Sequence, residues 1–233
     1  PISSITAYTA RAGDRITGGS GADILVGQAG NDTLNGGDGN DWIYGGGGTN
    51  TLSGGAGNDF IFVASRLDVV DGGSGTDTVV VSDTSSNAAL YSFKNVERIK
   101  FTDKMIAYDT AGNAGMAYRL YQAAFNRTPD QGGLGYQMNA LDEGLNIAQV
   151  AQNFIDSPEF AKTYGALDNT KFVTQLYQNV LHRAPDAGGL AFHSGNLASG
   201  TNTRANVLVG FSESPENQAA LIGVITKGMV VSV

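Results

Sequence analysis

Residues 36–59 read GGDGNDWIYGGGGTNTLSGGAGND. A glycine pair returns at every ninth position, with Gly36, Gly45 and Gly54 opening successive units. The sixth place of each unit holds an acid or its amide, and the eighth holds an apolar residue. Stepping outward by nine keeps this phase. GGSGADILV (18–26) and GQAGNDTLN (27–35) stand before the quoted stretch, which completes as GGAGNDFIF (54–62). VASRLDVVD (63–71) and GGSGTDTVV (72–80) follow. The sixth place therefore holds Asp23, Asp32, Asp41, Asn50, Asp59, Asp68 and Asp77. The eighth holds Leu25, Leu34, Ile43, Leu52, Ile61, Val70 and Val79. The phase reaches back into TARAGDRIT (9–17), where Asp14 and Ile16 take those places but Ala10 and Ala12 replace glycines. A flexible Gly-rich linker has no reason to keep acid and aliphatic residues in phase over so many units.

A fixed short period marks a repeat architecture in which stacked units share one core. The glycine-rich hexad can take left-handed backbone angles and turn tightly. The three residues after it predict a short strand with its middle side chain pointing inward. Two units then make one coil of a flat right-handed parallel roll, and residues 18 apart stack on one edge. Strands in such a stack lie about 4.8 Å apart. Two carboxylates at that separation repel by roughly 3–4 kcal/mol at an effective dielectric of about 20. A hard cation answers this repulsion, since Ca²⁺–oxygen bonds of about 2.3–2.6 Å fit the gap and glycine carbonyls can complete the shell.

These nonapeptides resemble the RTX (repeats-in-toxin, hemolysin-type calcium-binding) family of secreted bacterial toxins, proteases, lipases, adhesins and surface-layer proteins. The resemblance implies Ca²⁺ held between coils by the sixth-place acid and by carbonyls of places one to four. On one edge it marks Gly19, Gly21 and Asp23; Gly36, Gly37, Asp38, Gly39 and Asp41; Gly54, Gly55, Ala56, Gly57 and Asp59; and Gly72, Ser74 and Asp77. That edge is expected to bind about three ions. On the other edge it marks Asp14; Gly27, Ala29, Gly30 and Asp32; and Gly45, Gly47 and Asn50. Fewer or weaker ions are expected there, because Asn50 lacks a charge and residues 63–68 lack glycine. Trp42 and Phe60 occupy seventh places, which face outward.

The bulk composition agrees. The chain has 233 residues and no Cys, which excludes disulfides, thiolate metal sites and cysteine catalysis. Of 33 Gly, 19 lie between Gly13 and Gly75. Residues 1–82 hold nine Asp, no Glu, three Arg and no Lys, a net of −6 out of −8 for the whole chain. An acidic front half argues against nucleic acid or anionic membrane as partner. No apolar run is long enough to span a membrane. No signal peptide is visible, and a chain that opens on Pro1 is expected to be a piece of a longer protein.

Residues 83–111 predict a β segment that caps the roll, an end otherwise open to edge pairing. Its stretch NVERIKFTDKMIAYD (95–109) resembles the closing strands that follow such repeats. Asp83, Asp103 and Asp109 are expected to be turn residues.

The remainder, 112–233, predicts an all-α domain of two similar repeats, about 112–166 and 167–224, ending in the short apolar ITKGMVVSV (225–233). YRLYQAAFNRTPDQGGLGYQMNAL (118–141) matches VTQLYQNVLHRAPDAGGLAFHSGNL (173–197), aligning Pro129 with Pro185 and Asp130 with Asp186. FIDSPEF (154–160) matches FSESPEN (211–217), and each Ser-Pro-Glu is a helix start. This pattern resembles a helical domain family of unknown function found beside RTX repeats and distantly similar to phycobilisome linkers. The resemblance brings no chemistry. Arg127 with Asp130, and Arg183 with Asp186, predict ion pairs or helix-end charges. His182 and His193 fall on different predicted helices, with Asn126 and Gln137 at the matching places of the first repeat, which argues against a metal or catalytic pair. Tyr121, Tyr136, Tyr164 and Tyr177 are expected in the core.

No nucleophile elbow, P-loop, dinucleotide fingerprint or zinc-protease motif occurs, so a non-enzymatic chain is expected. The function expected is a calcium-binding C-terminal module of a type I-secreted cell-surface protein of a Gram-negative bacterium, an adhesin or surface-layer type. Its partners would be calcium, the type I secretion machinery and a cell-surface glycan or neighbouring surface protein. Alternatives are the secretion and folding tail of an extracellular hydrolase, or a glycan- or protein-binding module built on the helices.

Overall fold

The computed structural model describes residues 6–8 (backbone only) and 13–232. Ala10, Ala12 and the last residue lie outside the described residues. The chain forms two compact units: Pro1–Asp109 with Val230–Val233, and Thr110–Met229.

The first unit is a parallel β-roll. Strands β2 (Arg15–Ser20), β4 (Thr33–Asp38), β6 (Thr51–Ala56) and β8 (Val69–Ser74) form one sheet in that order. Strands β1 (Thr6–Tyr8), β3 (Ile24–Val26), β5 (Trp42–Tyr44), β7 (Phe60–Val63) and β9 (Thr78–Val81) run in order in a second. Each strand pairs in parallel with the one 18 residues on, as Leu34 with Leu52 and Ile43 with Ile61. The eighth-place side chains are all buried, Leu25, Ile43, Ile61 and Val79 completely, and stack into one aliphatic column. Trp42 and Phe60 face outward, stacked at 5.2 Å.

The strands of the four-stranded sheet are six residues long, not three. They run on into the first half of the next hexad, so Gly19 pairs with Gly37 and Gly37 with Gly55. Glycine makes this extension possible. A Cβ on Gly37 (φ +111°) would collide with the Gly19 carbonyl, and one on Gly39 (φ +124°) with the Gly21 carbonyl. Coils stack this closely only where both side chains are absent.

Residues 83–109 close the roll as expected, though Ser85–Leu90 is a 3₁₀ turn instead of a strand. β10 (Arg98–Lys100) continues the second sheet beside β9, and β11 (Met105–Ala107) returns antiparallel to β10. Phe101 is buried in the roll core, with Phe93, Val96, Ile99 and Ile106 packed against it. Asp83 accepts from Arg66 and from the Tyr91 hydroxyl, Asp103 accepts from Ser85, and Asp109 pairs with the buried Arg98 at 3.0 Å. The tail assigned from sequence to the helical part instead supplies β12 (Met229–Val231), the last strand of the sheet after β11. Met229 and Val231 are buried and alternate with Val230, the pattern of a half-covered strand.

The second unit holds two four-helix repeats. The first is α1 (Asn113–Phe125), α2 (Gln131–Asp142), α3 (Ile147–Ile155) and α4 (Pro158–Tyr164). The second is α5 (Asn169–Leu181), α6 (Ala187–Ala198), α7 (Arg204–Ser212) and α8 (Pro215–Ile225). α1 packs on α5 and α3 on α7. Each element of the repeated sequence has a local task. Asp130 and Asp186 N-cap α2 and α6 by accepting from the N–H of Gly133 and Gly189 at 2.7 and 2.8 Å. Ser157 and Ser214 N-cap α4 and α8, with the prolines in the first turn. Arg127 pairs with Glu159 at 2.7 Å and lies over the Tyr121 ring. Asn126 and His182 both end helices in the left-handed region, φ +52° and +50°, so His182 has the same role as the asparagine it replaces. Replacing Asp130 by Ala is expected to cost about 1 kcal/mol in thermal or denaturant unfolding of the helical unit, and to leave calcium binding unchanged.

Tyr121 and Tyr177 are buried and Tyr164 bonds to the Ala124 carbonyl, but Tyr136 is 68% exposed. Phe192, its equivalent in the second repeat, is 64% exposed. Both stand on exposed sides of their helices, α2 and α6.

Candidate metal centre

The edge carrying Asp23, Asp41, Asp59 and Asp77 is a ladder of carboxylates. In Asp41, Asp59 and Asp77, Oδ1 accepts the backbone N–H of the sixth-place residue one coil earlier. Asp41 accepts from Asp23 at 2.8 Å, Asp59 from Asp41 at 2.8 Å and Asp77 from Asp59 at 2.9 Å. The four side chains are 0–2% exposed. Each Oδ2 is buried and has no hydrogen-bond partner. Burial of an unpaired carboxylate oxygen is costly, so a compensating ligand is called for.

The surroundings of that oxygen supply more oxygen. A Cβ built on Gly18 would stand 2.5 Å from both Asp23 Oδ2 and the Gly36 carbonyl. At Gly36 the same test finds Asp41 Oδ2 and the Gly54 carbonyl, and at Gly54 it finds Asp59 Oδ2 and the Gly72 carbonyl. The orphan oxygen and the first-place carbonyl of the next coil thus share one point, close enough for a single Ca²⁺ to bridge them. Gly18, Gly36 and Gly54 are not in the left-handed region. Glycine is required there for space alone, whereas Gly37 and Gly39, at places two and four, combine a left-handed backbone with a carbonyl where a Cβ would stand. The residues present therefore fit a hard cation. The third-place carbonyls of Asp38, Ala56 and Ser74 accept the N–H of Gly21, Gly39 and Gly57 at 2.6–2.8 Å, and so also knit the coils together.

Electrostatics point the same way. Burial pushes the Asp77 carboxyl up to about 7 and that of Asp59 to about 6, and raises Asp41; the neighbouring ladder carboxylates add to each shift. A divalent cation reverses such shifts by favouring the ionised form.

The opposite edge is poorer. Asp32 and Asn50 continue the Oδ1 ladder, accepting from Asp14 and Asp32 at 2.8 and 2.9 Å. Asp14 Oδ2 and Asp32 Oδ2 are unpartnered, and a Cβ built on Gly27 would stand 2.6 and 2.7 Å from Asp32 Oδ2 and the Gly45 carbonyl. A Cβ built on Gly45 would instead meet the Asn50 Nδ2 donor at 2.9 Å, with the Leu52 side chain next at 3.2 Å. A donor repels a cation, so Asn50 holds the coil through its Oδ1 without offering a ligand at Gly45. Asp68 has both oxygens satisfied, by the N–H of Asn50 and of Ser65.

The fifth-place asparagines make a second ladder that the sequence reading did not assign. Asn40 accepts the N–H of Asn58, and Asn58 that of Thr76, both at 2.8 Å; Asn31 accepts that of Thr49 at 2.9 Å. The recurrent Asn-Asp pair in GNDT, GNDW and GNDF was its signal. Among the described residues, no three His, Cys, Asp or Glu side chains converge to hold a metal, so the oxygens gathered at the ladder are carboxylate and backbone carbonyl together.

A parallel roll with acid ladders on its edges, followed by a helical unit of two repeats, defines the class of this chain. The RTX calcium-binding nonapeptide repeat family matches residues 9–43, 26–61 and 67–81. The family described as Domain of unknown function (DUF4214) matches residues 151–221. The chain thus carries RTX calcium-binding repeats followed by a DUF4214 helical domain. Repeats of this kind are typical of exported bacterial proteins. No helix among the described residues is long and apolar enough to cross a membrane. No curated protein matches the chain, and no solved structure does.

Proposed function

We propose that this chain is a calcium-folded, non-enzymatic module of a type I-secreted cell-surface protein of a Gram-negative bacterium, of adhesin or surface-layer type. One observation carries the proposal: the ladder of buried, unpartnered Oδ2 atoms of Asp23, Asp41, Asp59 and Asp77, each beside a backbone carbonyl. Without a cation the ladder opposes folding, and cytosolic calcium is too scarce to supply one. Outside the cell, calcium near the millimolar range folds modules of this affinity class. Folding after passage would favour export and order the surface protein at the place where it works. A non-enzymatic role is supported by the RxPD residues, which are engaged in caps and ion pairs. The exposed Tyr136 and Phe192, at equivalent places of the two repeats, favour the helical unit as the contact to a glycan or neighbouring surface protein.

The test is co-sedimentation of the full chain with purified Gram-negative cell envelopes, in calcium and in EDTA. Calcium-dependent retention is expected. A chain that folds with calcium and yet is not retained overturns the surface role, in favour of a secretion and folding tail of an extracellular hydrolase.

A further inference from the structure

The nonapeptide pattern ends at residue 80, but the acid ladder does not. The N–H of Asp77 donates to Glu97 Oε2 at 2.9 Å, the same distance at which the N–H of Asp59 meets Asp77 Oδ1. Glu97 therefore occupies the sixth place of one further coil. The backbone agrees. Gly72 N–H donates to the Lys94 carbonyl and Lys94 N–H to the Val70 carbonyl, which extends the four-stranded sheet. Arg98 then pairs with Thr78 and Ile99 with Val79, which extends the other. This coil is joined with an offset of 23 residues where Asp71 meets Lys94 and of 20 where Thr78 meets Arg98, whereas the repeats use 18.

The oxygen pair recurs as well. A Cβ on Gly72 would meet Asp77 Oδ2 at 2.6 Å and would collide with the carbonyl of Asn95. Asn95 thus presents its carbonyl where Gly72, Gly54 and Gly36 present theirs one, two and three coils below. It does so from the left-handed region, φ +49°, which asparagine tolerates. Its side chain turns away, donating to Asp71 Oδ1 at 2.8 Å, and Lys94 neutralises the other Asp71 oxygen at 2.6 Å. Asp77 is fully buried and its Oδ2 has no hydrogen-bond partner.

We propose that the cap completes one more calcium site, made by Asp77 Oδ2, the Asn95 carbonyl and the charge of Glu97, beyond the last nonapeptide. Resting on the calcium-folded roll proposed above, the site makes the cap part of the metal ladder. An ion there ties residues 94–100 to the last coil and seals the end of the roll.

The test is a calcium-bound crystal structure of the full chain, with anomalous scattering to locate the ions, together with calcium counting by native mass spectrometry for the wild type and Glu97→Gln. Glutamine keeps an oxygen for the Asp77 N–H and removes only the charge. An anomalous peak between Asp77 and Asn95 is expected, together with one ion fewer in Glu97→Gln, or at least tenfold weaker binding of one ion. Ions between the coils with none at Asp77 and Asn95 overturn this site alone. A wild-type chain that takes up no calcium overturns the calcium-folded roll itself. The crystal result decides the matter even where Glu97→Gln fails to fold.

Discussion

Chelating calcium from the full chain is expected to abolish the strand signal in far-UV circular dichroism while leaving the helical signal in place. The roll has little to hold it otherwise. Its core is a single aliphatic column, and its glycines lose more conformational freedom on folding than other residues do. Against that modest gain stand four fully buried ladder carboxylates with no Lys, Arg or His paired to them among the described residues. The helical unit has its own core, in which Leu120, Leu134, Met138, Phe172, Leu176 and Leu208 are buried. Return of calcium is expected to restore strand with a midpoint on the order of 10⁻⁴–10⁻³ M. A strand signal indifferent to excess EDTA would show that the ladder does not depend on a cation.

Protons should compete with calcium on the same ladder. The Asp59 and Asp77 carboxyls are pushed up to about 6 and about 7 in the metal-free fold, chiefly by burial. A carboxyl whose folded value is raised contributes its stability in full below the unfolded value, about 3.9, and loses it as pH rises through the folded value. In EDTA the roll is therefore more stable at pH 5 than at pH 8, because a protonated ladder carboxyl buries no charge and no longer repels its neighbours. In calcium the direction reverses, since a protonated ligand must lose its proton to bind. The calcium midpoint for refolding is expected to be higher at pH 5.5 than at pH 8; equal midpoints would contradict a carboxylate ladder that binds the ion.

Much of this was legible in the sequence, and the limits have physical causes. Period nine with Asp at six and an aliphatic at eight defines two sheets, their register and both acid edges, since side chains alternate along a strand and strands 18 apart stack. The different demands on the glycines were not legible. Gly36 and Gly37 look alike in GGDGND, yet one is needed for the space beside Asp41 and the other for a left-handed turn under a carbonyl. Glu97 was missed because it lies 20 residues after Asp77 and is a longer acid, although Glu97, Arg98 and Ile99 repeat the order acid, any residue, aliphatic. β12 was hidden by distance along the chain, because no local pattern says that Met229–Val231 joins a sheet begun more than 100 residues earlier. The helical repeat was readable from its caps, which are local, while the exposure of Tyr136 depends on which face the other helices cover.

Replacing Gly54 by Ala should do more damage than its single methyl suggests. The backbone angles at Gly54 lie outside the left-handed region, so a survey of chain conformation alone would pass the change. The methyl, however, would be driven into Asp59 Oδ2 and the Gly72 carbonyl. The carboxylate can rotate, but the carbonyl is backbone and is held by the pairing of β6 with β8, so relieving the clash pushes one coil from the next. Overpacking of this kind costs about 1–3 kcal/mol, and here the same displacement separates the two oxygens that the cation would bridge. The variant is expected to need at least tenfold more calcium to fold and to bind one ion fewer. Gly223→Ala is the contrasting change. It lies in α8, meets nothing within 4 Å, and should stabilise the helical unit by about 0.5–1 kcal/mol with no effect on calcium. If Gly54→Ala folds with the wild-type calcium midpoint and ion count, the oxygen pair beside Gly54 is not a binding site, and its glycine serves only to let the coils approach.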